Sequence, residues 1–243
     1  MNFPPIERWI RKSANAMGLD IKRHRPIVSA IDRLATMLRV NGVDIVFDIG
    51  ANTGQFARSL RDAGYPGRIV SFEPLSAAHS ALLRASDNDP DWQIAPRVAI
   101  GSSEGEVQFN IAANSVSSSI LGMLESHIRA APQSVFVGTE RVPLSTLDKA
   151  AIGHLDSQSK PFIKIDTQGY ESNVLDGAKD ILARAAGIHI ELSFLPLYEG
   201  QELFGTLLSK LQAEGFSIWG IWPGFVDEGT GRMLQVDAVL FRD

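Results

Sequence analysis

The chain has no cysteine among its 243 residues. That excludes disulfides, thiolate metal sites and cysteine nucleophiles, and it fits a reducing compartment. It also lacks any apolar run near the ~20 residues that cross a bilayer, and its opening, MNFPPIERWIRKSANAMG, has no continuous apolar core of a secretory signal. A cytoplasmic protein is the expectation. Positive charge is the scarcer sign: 23 Lys and Arg against 28 Asp and Glu leave a net charge of −5, which argues against nucleic acid as the main partner. No internal repeat or low-complexity tract occurs. The Gly-x-Gly-x-x-Gly turn that cradles a dinucleotide pyrophosphate is missing as well.

What is present is an ordinary globular composition, 44% hydrophobic and 21% charged, at a length suited to one α/β domain. Two helical stripes open the chain: Ile6, Trp9, Ile10 and Met17, then Ile27, Ile31, Leu34 and Leu38. Between them DIKRHRP breaks the pattern at Pro26. Residues 1–40 thus read as a helical extension, and 41–243 as the main domain. Arg8, Arg11, Lys12, Lys22, Arg23 and Arg25 outnumber Glu7 and Asp20 there. Either these helices pack over the domain with a solvated basic face, or they form a docking segment for a membrane surface or substrate.

From Asp44 the period changes. DIVFDIG reads as a strand buried on both faces of a parallel sheet. A helix over 55–63 is closed by Gly64, RIVSFEP forms a second strand, SAAHSALLRAS its helix and WQIAPRVAI a third strand. The middle is less regular: EVQFNIA reads as a peripheral strand, NSVSSSILGM as a serine-rich loop entering a short helix, and RVPLSTLD as an edge strand. The rhythm resumes with PFIKID, the helix ESNVLDGAKDILARA, the strand GIHIEL and the helix QELFGTLLSKLQAEG. FSIWGIWPG and LQVDAVLFRD close the chain as an antiparallel pair. The sum is an open, mostly parallel sheet of about seven strands with helices on both faces.

Ligands of such sheets sit beyond the carboxyl ends of the strands. Four strands finish on an acid, Asp48, Glu73, Asp166 and Glu191, and four acids on one rim repel unless they face ligand hydroxyls, cations or fixed donors. Gly50-Ala-Asn-Thr-Gly54 is a turn whose glycines and Asn52 tolerate positive φ and let a ligand approach the backbone. Glu73, about twenty residues beyond that turn, is placed to accept from both ribose hydroxyls of an adenosine. Without a pyrophosphate turn, this arrangement favours S-adenosyl-L-methionine (SAM) over a nicotinamide dinucleotide.

The segments VFDIGANTGQFARSL, VSFEP, VAIGSSEGEVQFN, FIKIDTQGYESNVLDGA and IHIEL, in this order, resemble the successive motifs of the FkbM family of SAM-dependent methyltransferases. The resemblance implies a class I Rossmann-like methyltransferase fold and O-methylation of a sugar hydroxyl, in particular on a glycolipid or another glycosylated cell-envelope or secondary metabolite. It puts Asp48, Gly50, Asn52, Gly54, Glu73, Ala99 and Ile100 at the cofactor. One position departs: Gln168 stands where the family commonly has Glu, and a neutral amide can serve neither as base nor as strong cation ligand. No fixed-spacing metal motif occurs, the five histidines are scattered, and no metal ligand is assigned.

A sugar hydroxyl needs a base as its oxygen is methylated. Asp166, His189 and Glu191 are the candidates, with His189 and Glu191 on one strand face. His189 could equally be a hydrogen-bonded core residue, and Asp166 could orient the cofactor. Lys164 alternates with Asp166, so both could face one side of the strand, or Lys164 is an ion pair that satisfies a partly buried lysine. Ser115, Ser117, Ser118 and Ser119 are either acceptor contacts or solvated loop. A phenolic or polyketide acceptor, and a SAM-binding regulator without turnover, are the competing functions.

Overall fold

The computed structural model of the chain describes residues 5–18 and 29–242. All of 19–28, and the side chains of 5–8 and 11, lie outside that set. With them go the expectations for Ile6, Arg8, Arg11, Lys22, Arg23, Arg25, Pro26 and Ile27.

Helix α1 (Pro5–Ala16) precedes α2 (Ala30–Val40), whose N-terminus is capped by Ser29 accepting from the Asp32 N–H. β1 (Ile45–Ile49) is buried throughout, as a strand covered on both faces must be. It leads into α3 (Gln55–Asp62), and β2 (Arg68–Phe72) with α4 (Ser76–Ser86) repeats the unit. The single strand expected from WQIAPRVAI is two, β3 (Trp92–Ile94) and β4 (Ala99–Ile100), in different sheets. Pro96 between them cannot donate to a ladder, so the pairing changes partner there.

β5 (Gly105–Ala112), α5 (Glu125–Ala130) and β6 (Phe136–Ser145) follow. RVPLSTLD is not an edge: β6 is the middle of a three-stranded sheet, parallel to β4 and antiparallel to β5. After α6 (Leu147–Ala150) comes β7 (Pro161–Ile165). The one helix expected over ESNVLDGAKDILARA is broken into α7 (Glu171–Asp176) and α8 (Lys179–Arg184). Gly177 divides them, and a Cβ there would stand 1.9 Å from the Gly101 carbonyl oxygen. β8 (Gly187–Ser193), α9 (Phe204–Ala213) and β9 (Phe216–Pro223) follow, then the short pair β10 (Val226–Asp227) and β11 (Arg232–Met233), and finally β12 (Gln235–Arg242).

The main sheet runs β3-β2-β1-β7-β8-β12-β9, parallel except for β12, which is antiparallel to both neighbours. The expected class I fold, with its antiparallel strand near the end, is what the chain adopts. Strand alternation sorts the core into two layers. Ile45, Phe47, Ile49, Ile163, Ile188 and Ile190 face α7, α8 and α9. Val46 and Phe162 face α2 and α3, where Leu34, Leu38, Ala57 and Leu60 are buried. Helix α2 is therefore part of the core, whereas Trp9, Ile10 and Met17 of the first helical stripe are exposed.

Candidate active site

On the α2–α3 side of the sheet, register places one polar residue from each of four adjacent strands in a row: Ser71, Asp48, Lys164 and His189. Asp48 is completely buried, accepts from the Ser71 hydroxyl at 3.1 Å and pairs with Lys164 Nζ at 3.2 Å. Burial opposes the Lys164 charge, but the Asp48 and Asp166 carboxylates outweigh it and hold the ammonium above its ordinary pKa. Nζ also donates to the Gly50 carbonyl at 3.1 Å, which ties the glycine turn to the row beneath it. The ion-pair reading of Lys164 is the one the geometry fits.

Above this row opens a cavity of about 400 Å³, within the range of small-molecule sites. Gly50 sits at φ +75°, and a Cβ there would lie 1.9 Å from the Asp166 carbonyl oxygen, so β1 and β7 approach too closely for any other residue. Asn52 follows at φ +48°. Its N–H donates to Glu73 Oε2 at 2.8 Å, while the Leu75 N–H donates to Oε1 at 2.9 Å. Burial pushes the Glu73 carboxyl up to about 7 against those two donors. Ala99 and Ile100 line the cavity beside Phe72 and Leu75.

The four acids do not share one rim. Glu73 and Asp166 line the cavity; Asp48 lies one row deeper, and neither Gly54 nor Glu191 belongs to the lining. Asp166 keeps a side chain 41% exposed, 3.7 Å from Lys164 Nζ. Gln168, at φ +54°, donates from Nε2 to Asp166 Oδ1 at 2.8 Å and to Glu191 Oε2 at 3.0 Å. Gln235 adds a second amide donor to the same Glu191 oxygen at 2.6 Å. Burial, reinforced by Asp166, Glu171 and Asp237, drives the Glu191 carboxyl well above the usual carboxylate range. Glu171 is buried too, pushed up to about 7, and accepts at Oε1 from Thr167 and Gly169.

His189 lines the cavity between Phe56 and Trp222, with ring centroids 5.7 and 5.9 Å away. It is not the hydrogen-bonded core histidine of one reading, for neither ring nitrogen has a hydrogen-bond partner; Nε2 stands 3.3 Å from Asp237 Oδ1. Of the loop serines only Ser115 is exposed. Ser117, Ser118 and Ser119 are buried, and Ser119 Oγ donates to the Gln168 carbonyl at 2.7 Å. Ser115 and Ser118 reach the cavity wall. Sequence reasoning missed Phe56, Asp237, Gln235 and Tyr198. An acid on a closing antiparallel strand is the only signal Asp237 offers, and it gains meaning once register sets it opposite Glu191.

A family model for the methyltransferase FkbM domain matches residues 48–218. A curated relative, 2-O-methyltransferase NoeI of Sinorhizobium fredii (strain NBRC 101917 / NGR234), is 28% identical over 208 residues, covering 83% of this chain and 80% of its own. Similar solved structures include a TehB-like SAM-dependent methyltransferase from Corynebacterium glutamicum (13% identity, TM-score 0.43, 98% of this chain and 96% of that one). An rRNA methylase from Streptococcus thermophilus is another (12% identity, TM-score 0.45, 91% and 99%). The residues present suit the methyl donor such enzymes use: an apolar slot between Leu75 and Ile100, a buried acid at the end of β2, and the Asn52 Oδ1, a buried acceptor in the cavity wall without a protein partner. With the match spanning most of the chain, this protein belongs to the FkbM methyltransferase family, and its cofactor is S-adenosyl-L-methionine.

Proposed function

We propose that the protein transfers the methyl group of SAM to a hydroxyl of a sugar, carried by a glycolipid or another glycosylated cell-envelope or secondary metabolite. Asp166 carries the reading: a part-exposed carboxylate in the cavity wall, steered by Lys164 and Gln168, beside the turn expected to hold the donor. The relative's 2-O-methylation supports an alcohol acceptor. In this reading Gly50, Asn52 and Gly54 shape the turn, Glu73 accepts from the ribose, Ala99 and Ile100 wall the base, and Asp48 acts at one remove by holding Lys164. The acceptor oxygen bonds to the methyl carbon as the carbon–sulfur bond breaks, and its proton passes to Asp166. In-line alignment supplies much of the rate in such displacements. His189 is the second candidate base. Glu191 is the third, because two amides already occupy its Oε2.

The experiment is incubation with labelled SAM and a panel of free deoxysugars, deoxysugar glycolipids and phenols. Label in a sugar hydroxyl is expected, and Asp166→Asn lowers kcat by ~10²–10⁴ with the SAM Kd held. Label confined to phenols, or to nothing while SAM binds, replaces this reading with a phenolic acceptor or a regulator.

Among the described residues no helix is long and apolar enough to cross a membrane. A lipid-linked acceptor requires contact with its surface, and α1 offers exposed Trp9 and Ile10 beside exposed Lys12. Each basic residue held near an anionic surface contributes about 1 kcal/mol. Sedimentation with anionic vesicles is expected to bring down the whole chain and not one lacking residues 1–25; equal, negligible binding by both removes the membrane contact.

A further inference from the structure

Gln168 donates to two acids at once, Asp166 in the cavity wall and Glu191 beside it. Its side-chain carbonyl Oε1 accepts from the Tyr198 hydroxyl at 2.9 Å, and that hydroxyl also lies 3.0 Å from the Ser117 carbonyl. With Oε1 engaged on that side, Nε2 must face the other way, and its two hydrogens meet Asp166 Oδ1 and Glu191 Oε2. The backbone is fixed as well: φ is +54°, a region non-glycine residues rarely enter, and the Gln168 carbonyl accepts from the buried Ser119 hydroxyl. A residue held in an unfavourable backbone region with every polar atom of its amide engaged is over-determined by its surroundings.

We infer that Gln168 is a positioning residue of the methyl-transfer site, a neutral clamp that fixes the Asp166 carboxylate towards the cavity and apart from Glu191. This rests on the methyl-transfer reading above. Two carboxylates linked through one amide group share an environment in which like charges resist ionising together. An amide donor favours the charged form of the acid it touches, and here it touches both. Which acid keeps its proton then follows from what else faces the pair. Lys164 stands 3.7 Å from Asp166 and favours charge there, with Asp48 behind it. Glu191 is set among Asp166, Glu171 and Asp237, whose repulsion, added to burial, outweighs the pull of Lys164. His189 lies on the same strand face and the Tyr198 hydroxyl closes the far side. The asymmetry raises the Glu191 carboxyl above the usual carboxylate range and leaves Asp166 as the acid that Gln168 holds at the cavity wall.

The variant that breaks the clamp without changing its size is Gln168→Glu. It removes both donors and sets a third carboxylate within contact of two others. The expected result is a drop in kcat of tenfold or more, an acid limb of the rate profile moved upwards by at least about one pH unit, and an unchanged SAM Kd by calorimetry. Gln168→Met removes the donors without adding charge, so its acid limb moves up by less than that of Gln168→Glu. A melting curve on each variant reports folding. Carboxyl-carbon NMR titration of Asp166 in wild type and both variants reads the same change without turnover, so a protein that methylates none of the panel still tests the clamp. An Asp166 titration that stays in place in Gln168→Glu, or a rate profile identical to wild type, overturns the inference.

Discussion

The cavity is walled by two regions built on opposite principles. The seven-stranded sheet presents strand ends and a glycine turn over a core buried on both faces, whereas β5 and β6 of the smaller sheet are largely exposed and the serine loop between them is tied down by hydroxyls. In the first, position comes from backbone register: Ser71, Asp48, Lys164 and His189 line up because four parallel strands do. In the second, position comes from side-chain hydroxyls. Ser117 bonds Ser134, Ser118 accepts from the Ala112 N–H, and Ser119 reaches the Gln168 carbonyl. A register-built wall suits a fixed ligand such as the cofactor. A wall of loop hydroxyls can change with the acceptor while the sheet stays as it is. The contrast is a claim about energies, and substitutions on either side test it.

The largest expected effect lies beneath the sheet side. Lys164→Met leaves Asp48 fully buried with only the Ser71 hydroxyl as donor, and breaking a buried pair in this way costs about 3–5 kcal/mol. Denaturant titration is the measurement. Adding Asp48→Asn to Lys164→Met removes the stranded charge and is expected to recover most of the loss, since residues in one network do not act additively. The sign of the pH dependence is fixed by the raised Lys164 pKa. Its contribution is complete below the ordinary lysine value and fades only as pH climbs above it, so the deficit of Lys164→Met is constant across neutral pH. A loss under about 1 kcal/mol, the size of a surface pair, means that the row is no more than a convenience of alternation.

How much of this was legible in the sequence divides along the same line. DIVFDIG, RIVSFEP, PFIKID and GIHIEL announce buried parallel strands because each is a short, mostly apolar run with an acid at or near its end, and the glycine after the first is required by the close approach of Asp166. The strands of the main sheet beneath the cavity could be read from those runs alone. WQIAPRVAI and RVPLSTLD could not be, because local pattern does not say which sheet a short strand joins. Gly177 ends a helix through its contact with Gly101, which lies several elements earlier in the chain, and no helical period reports that. The site behaves likewise. Glu73 and Asp166 stand at strand ends where sequence places them, but Asp237 and Gln235 approach Glu191 only through antiparallel register, and Asp48 drops from the rim because it belongs inside the strand.

A middle-sized effect is expected at Glu73, the acid that links the glycine turn to α4. Its folded-state pKa of about 7 exceeds the ordinary value of 4.5. The neutral form is thus favoured by folding, and the stability it brings is present below 4.5 and lost as pH rises through 7. By linkage, each pH unit separating the folded and unfolded pKa is worth about 1.4 kcal/mol, so the SAM-free protein is expected to lose on the order of 3 kcal/mol across that interval. Glu73→Gln flattens the slope and, at about pH 8, weakens SAM binding by about 1.5–3 kcal/mol through loss of a charged acceptor. Thermal melts and calorimetry across the pH range check both. An unchanged SAM Kd removes Glu73 from the ribose.

The smallest expected effect lies in the loop wall. Ser115 holds φ +58° at the cavity mouth, with its hydroxyl 3.5 Å from the Asn52 side-chain amide. Glycine accepts that backbone without the left-handed penalty of ~1–2 kcal/mol, but costs about 0.5–1 kcal/mol in unfolded-state freedom, so Ser115→Gly leaves stability within roughly 1 kcal/mol of wild type. What changes is the pinning of the loop. The acceptor KM is expected to rise several-fold while the SAM Kd stays nearly as it was, because Ser115 reaches the turn only through the long contact to the exposed edge of the Asn52 amide, and Glu73 and the turn backbone are untouched. Steady-state kinetics with the acceptor varied at saturating SAM, beside calorimetry for SAM, separates the two. If the SAM Kd moves and the acceptor KM does not, the serine loop belongs to the cofactor wall, and the division of labour between the strand-built wall and the loop fails.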